Sequence, residues 1–191
     1  MTGLVHPLIG THAGLGELAI LAFLWAFVEL LGPTKSRIRR AKIASLLGAV
    51  FFVLSWVTGG TYYVTQYGEL VKPVIKAGAE AWAHSIVMET KEHVFLMLPF
   101  LGVLQNVLLR RMDLNDPKSR RVILILTGWI VLFALSMVAM GYLISGAYRS
   151  ALEIITTGAV LLLPLGLVVM LGYFLLARGT AKPRKNVHGG I

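Results

Sequence analysis

Five apolar stretches, each near the roughly 20 residues that carry a helix across a bilayer, occupy most of this chain, at about 8–31, 43–64, 82–109, 122–145 and 154–177. Nothing else in the sequence constrains the fold as strongly. In hydrocarbon every backbone N–H and C=O must be satisfied within its own segment, so runs of this length and polarity form helices. The expected fold is all-α: one integral membrane bundle of five transmembrane helices over 1–177, followed by a basic, mobile tail at 178–191. A mean hydropathy of +0.76 with 14% charged residues leaves too little polar surface for a water-soluble domain of this size. The lipid bilayer is the first partner.

The net charge is +9, and fourteen of the eighteen Lys and Arg fall within 35–42, 110–121 and 178–185. These segments follow the first, third and fifth spans, so all three lie on one side of such a bundle. The positive-inside rule then places the N-terminus outside and the C-terminus in the cytoplasm, as a multi-pass protein of the cell's inner (cytoplasmic) membrane. Anionic headgroups account for the charge, and no aromatic-interleaved basic motif points to nucleic acid. There is no Cys, which excludes disulfides, thiolate zinc sites, iron–sulfur clusters and thioether-attached haem. The opening Met-Thr-Gly-Leu-Val-His-Pro lacks the basic region of a cleavable leader, so the first span is expected to stay in place.

Gly32-Pro33 stops the first helix, and Pro99 and Pro164 predict kinks within the third and fifth. The segment from Thr65 to Ala81 is too polar to span. Val71, Val74, Ile75, Ala79 and Trp82 suit a short helix lying at the outer interface, interrupted near its start by Pro73.

Chemistry concentrates in His84-Ser-Ile-Val-Met-Glu89-Thr-Lys91-Glu92-His93. A central charge costs about 2.5–3.5 kcal/mol on insertion scales, so such a cluster is a functional-site candidate by default. Counting about 1.5 Å per residue back from Leu31 and Leu109 puts His12 roughly 28 Å and Glu17 roughly 21 Å above the inner boundary. Glu89 and His93 come out at roughly 30 and 24 Å on the same count. Four groups from helices one and three thus converge on one layer near the outer surface. Glu89 and His93 share a helix face, which Leu96 and Phe100 continue, while His84, Met88 and Lys91 share the opposite one. The expectation is that Glu89 and His93 look inward at His12 and Glu17, and that Lys91 snorkels outward.

Several chemistries use such groups. A b-type haem needs neutral imidazoles on neighbouring helices, with small residues where the macrocycle lies flat. His12 is flanked by Gly10, Gly14 and Gly16, and Gly59-Gly60 end the second helix at a similar height. His12 with His93 or His84 forms an axial pair in this reading. Lys72, Lys76, Lys91 or Arg149 meets the propionates, and Glu89 and Glu92 accept protons beside a quinol. A non-haem metal site would instead draw on His12, Glu17, Glu89 and His93, a donor set suited to iron, zinc or manganese. Met137 and Met140 are read as packing rather than copper ligands. A proton or ion relay through Glu17, Glu89, Glu92 and His93 finds little polar to continue it except Glu29, Gln105 and Asn106. Glu29 lies about one turn from the basic loop and is placed to pair with an Arg or Lys there. Ser55, Thr58, Thr61 and Tyr62 are expected as interhelical hydrogen-bonders or interface aromatics.

On His12 with its glycines, His84 and His93, helices one to three resemble small membrane-bound b-type cytochromes of four or five helices. That resemblance implies an electron-transfer subunit, part of a membrane oxidoreductase, which carries haem b near the outer face. It would exchange electrons with quinone or a periplasmic redox partner. The alternatives are a transporter or assembly factor passing a metal ion or proton through a Glu/His site, and a structural membrane subunit of a larger complex.

Overall fold

The computed structural model describes residues 6–148. The expected fifth span, its Pro164, Arg149 and the basic tail lie outside the described residues. Within them every element is helical and four helices are long and apolar enough to cross a membrane, at Pro7–Leu30, Lys35–Ala77, Ala83–Arg111 and Pro117–Tyr148.

Local chemistry sets where these helices begin and end. α1 (Pro7–Leu30) starts on Pro7, whose missing N–H is one the first turn leaves unpaired anyway. The His6 ring caps it, accepting from the Leu8 N–H at 3.3 Å. α2 (Lys35–Tyr62) is capped by Thr34, whose Oγ1 accepts from the Arg37 N–H, the expected hydroxyl cap. α6 (Pro117–Tyr148) follows Asp116, which accepts from the Lys118 and Ser119 amides and the Ser119 hydroxyl. Those bonds from Ser119 hold the Asp116 carboxyl below the usual carboxylate range.

The segment after α2 departs from expectation. No separate interfacial helix forms over 65–81; the chain runs on through a π-helical stretch, Tyr63–Val71, into α3 (Lys72–Ala77). Pro73 sits in the first turn of α3, where its lack of an N–H costs little, so it does not interrupt the run. The continuous helix is 43 residues long, about 65 Å at 1.5 Å per residue, or twice the ~30 Å hydrocarbon core. Its last turns therefore stand at or beyond an interface.

After a turn, a second π stretch (Ala83–Met88) leads into α4 (Glu89–Val94) and α5 (Met97–Arg111). The break at Phe95–Leu96 has a clear cause. Pro99 cannot donate to Phe95, four residues back, and its ring crowds that carbonyl. The disruption expected of Pro99 shows as this break in regular helix, one turn upstream of the proline.

Packing follows membrane rules, with small residues letting backbones approach. Phe23 of α1 stacks on Phe52 of α2 at 5.3 Å, over Gly48 and beside Gly102. A Cβ at Gly48 would meet the Phe23 ring at 2.7 Å, and one at Gly102 would meet it at 3.2 Å. Gly48→Ala is therefore expected to destabilise by about 1–3 kcal/mol through overpacking, read as a lowered thermal midpoint in detergent. Met137 is buried in this same cluster and Met140 packs against it, as a packing role requires.

The polar residues at the other end of the bundle use one another. Ser45 donates to Gln105 Oε1, Gln105 Nε2 donates to Thr127 at 3.0 Å, and Asn106 Nδ2 donates to Ser45 at 3.1 Å. Arg110 closes the set on Asn106 Oδ1 at 3.0 Å. Glu29, fully buried, takes Arg37 Nε at 3.0 Å, Arg40 Nε at 2.7 Å and Trp25 Nε1 at 3.1 Å. It is the partner of the basic loop, as its position in the sequence requires.

Candidate functional site

The two π stretches face one another near the end of the bundle opposite Glu29, and a cavity of about 930 Å³ lies beside them. That is the upper part of the range for small-molecule and cofactor pockets. Its walls come from the first turns of α1 (His6, Ile9, His12), the end of α2 and the following π stretch (Gly59, Gly60, Tyr63, Tyr67), α4 (Lys91, Glu92) and α6 (Gly141, Ile144). A π turn inserts one residue into the helical count, re-aiming the side chains beyond it, and such turns recur at functional sites.

His12 is held from behind. Its Nδ1 lies 2.8 Å from the Ser55 carbonyl oxygen and 3.0 Å from Ser55 Oγ, while that hydroxyl donates to the His12 carbonyl at 2.8 Å. A carbonyl only accepts, so Nδ1 carries the proton and Nε2 presents a lone pair. No hydrogen bond reaches Nε2 among the described residues. An imidazole fixed through one nitrogen by a backbone carbonyl is the usual arrangement of a metal-ligating histidine. Gly59 makes the fit possible, because a Cβ there would collide with the His12 ring. Gly59→Ala is expected to displace that ring and weaken binding of any ligand it holds by about 10–100-fold, measured as a ligand titration against the parent chain. Ser55 is thus the interhelical hydrogen-bonder expected of it. Thr58 and Thr61 instead bond carbonyls of their own helix.

The other candidates fall differently from expectation. His93 is exposed and its Nδ1 bonds the Glu89 carbonyl of its own turn. It does not line the cavity with His12. Leu96 and Phe100, on the same stripe, are exposed too. Glu89, His93, Leu96 and Phe100 share the stripe read from the sequence, yet that stripe looks outward, and His84, expected on the opposite face, lies across the π stretch within 3.5 Å of Glu89. Met88 and Lys91 on the opposite side face the cavity. Lys91 does not snorkel away. Its Nζ lies over Gly141, 3.2 Å from where a Cβ there would sit, with no hydrogen bond or ion pair among the described residues. Glu92 also faces the cavity beside Tyr63 and Tyr67, and its Oε1 is buried without a partner among those residues.

Glu17 accepts from the Tyr142 hydroxyl at 3.2 Å, and Glu89 lies 3.5 Å from His84 Nε2. His84 is buried, with its Nδ1 2.9 Å from the Tyr67 hydroxyl. The proposed quartet of His12, Glu17, Glu89 and His93 is not assembled. Among the described residues no group of three or more His, Asp or Glu is placed to hold a metal ion.

Tyr63, Tyr67 and Tyr142 carry no role in the sequence reading, and His6, expected only as an interfacial residue, lines the cavity. The spacing Tyr63-x-x-x-Tyr67 was a usable signal, since it stacks the two rings on one face at 5.4 Å. No family model matches this chain, and neither a curated protein nor a solved structure matches it.

Proposed function

We propose that this chain is an integral membrane electron-transfer subunit that holds haem b in the cavity beside the two π stretches, with His12 as an axial ligand. The observation that carries the reading is the His12 imidazole, oriented by the Ser55 carbonyl through Nδ1 with Nε2 bare at the cavity wall. Gly59 and Gly60 keep the wall beside it flat, and aromatic and aliphatic side chains supply the rest. Lys91, a cation without an ion-pair partner among the described residues, is the residue to meet a propionate. His6 and Met88 also line the cavity, and either would replace His93 as the candidate second ligand.

Glu92, with its orphan oxygen, and Glu89 beyond it serve proton exchange with a quinone or quinol. The fifth span at 154–177, the outward N-terminus and the inner-membrane location complete the proposal, which makes the chain part of a membrane oxidoreductase working with other redox subunits. The transporter reading has less behind it. Ser45, Gln105, Asn106 and Thr127 are consumed in one another's hydrogen bonds and leave no acceptor line through the bundle's other half among the described residues.

The test is the haem content of the full-length chain purified in mild detergent from haem-replete cells. About one b-type haem per chain, with a reducible α-band, is the expected result. Protein that is helical but colourless contradicts the reading.

A further inference from the structure

One buried histidine has work that haem binding does not use. His84 is nearly inaccessible, at 2% exposure, yet both its ring nitrogens meet partners from different surroundings. Tyr67, which lines the cavity, approaches Nδ1 at 2.9 Å. Glu89, whose side chain is 45% exposed, lies 3.5 Å from Nε2. On the cavity side Tyr67 stacks on Tyr63, and Glu92 lines the same cavity with its Oε1 buried and unpartnered among the described residues. A carboxylate only accepts, so the arrangement that satisfies both partners has Tyr67 O–H donating to Nδ1 and Nε2–H donating to Glu89.

We infer that Tyr67, His84 and Glu89 form a proton relay joining the cavity to water at the near end of the bundle. This goes beyond the haem proposal and does not depend on which ligand the cavity holds. As a protonated Glu92 gives its proton to the Tyr67 oxygen, the Tyr67 hydroxyl proton passes to His84 Nδ1, and the Nε2 proton passes to Glu89. One proton leaves Glu92, one arrives on Glu89, and neither Tyr67 nor His84 is left charged. Glu89 releases its proton to water, and the same path run in reverse, from Glu89 through Nε2 and Nδ1 to the cavity, restores the starting tautomer.

Geometry supports the exposed end: the Glu89 side chain is 45% exposed and stands six residues past Ala83, the first residue of that helical run, at most about 9 Å along the axis at 1.5 Å per residue. The 3.5 Å gap to His84 is long for transfer, but catalytic hydrogen bonds commonly tighten only in the working complex, and Glu89 is free to move. Tyr67 and His84 sit one on each π stretch, so the two irregular turns are what bring this pair together.

The experiment follows the carboxyl stretch of Glu92 by infrared spectroscopy of the full-length chain in a lipid film after a pH jump. The band is assigned by its absence in Glu92→Gln. Tyr67→Phe, which keeps the ring and its stacking, and Glu89→Gln, at the exposed end, are expected to slow Glu92 equilibration at least 10-fold at unchanged band amplitude. Both are also expected to lose the slowing that D2O imposes on the parent chain. Rates within twofold of the parent in both variants would overturn the relay, since Glu92 would then exchange directly through the cavity. Haem content is scored on the same preparations by visible absorbance, so a colourless sample counts against the haem proposal while the infrared rates still decide the relay.

Discussion

Replacing His12 with Ala is expected to abolish haem binding in the full-length chain, while His93→Ala is expected to leave it intact. The contrast follows from where the two rings lie. His12 offers a bare Nε2 to the cavity and is fixed by Ser55, whereas His93 is exposed on the outer stripe of α4. If His12 holds the haem, its loss would remove the bond to iron itself, so the expected change in the Soret band is complete rather than partial. His84→Ala is a useful third arm. His84 is engaged by Tyr67 and Glu89, so its loss reduces stability without removing the absorbance of the protein that folds. Visible absorbance per helical protein, with helicity taken from circular dichroism, checks all three. Retained colour in His12→Ala, or lost colour in His93→Ala, would contradict the assignment.

The second large effect lies at the opposite end of the bundle. Glu29→Ala is expected to destabilise the chain by about 2–3 kcal/mol. Removing one partner of a fully buried pair costs about 3–5 kcal/mol, because the remaining charge loses its counterion. The lower figure applies here because the Arg37 and Arg40 side chains are 23% and 42% exposed, which lets water take over part of their solvation. Arg37 keeps its bond to the Val28 carbonyl at 2.7 Å, another reason the loss is incomplete. Glu29→Gln retains the shape and the Trp25 contact but not the charge, and should fall between the parent and Glu29→Ala. Reversible unfolding in detergent micelles measures all three. A Glu29→Ala variant as stable as the parent would mean the turn between α1 and α2 is held by packing alone.

How much of this was legible before any coordinates depends on which physical rule wrote each feature. The bilayer-length apolar runs, the Glu29 pairing and the break caused by Pro99 are local consequences of hydropathy, charge spacing and proline geometry, and all can be read along the chain. The sequence assigns the glycines near His12 to a flat macrocycle, whereas Gly59 receives the His12 ring and a Cβ at Gly14 or Gly60 would meet nothing within 4 Å. Helical periodicity also ordered the faces of α4 correctly relative to each other. It cannot say which face looks inward, because angles within one helix carry no information about its neighbours. Amphipathic logic pointed Lys91 outward and Glu89 with His93 inward, and the packed helix has the reverse orientation.

The π stretches were the deeper obstacle. An inserted residue shifts every later side chain against a regular count, and nothing in Tyr63–Val71 or Ala83–Met88 announces the change. The Tyr67–His84 contact depends on both shifts at once. Pro73 misled in a similar way, since a proline in a first turn continues a helix that the same residue would break further in.

The central claim is that His12 makes this cavity a haem site. Titrating haem into ligand-free full-length protein in detergent micelles, with the Soret band followed to saturation, tests it most directly. A shifted, saturable band at one equivalent per chain, absent in His12→Ala, is the expected result. Absorbance indistinguishable from haem in empty micelles, or the same saturable shift in His12→Ala, would contradict it.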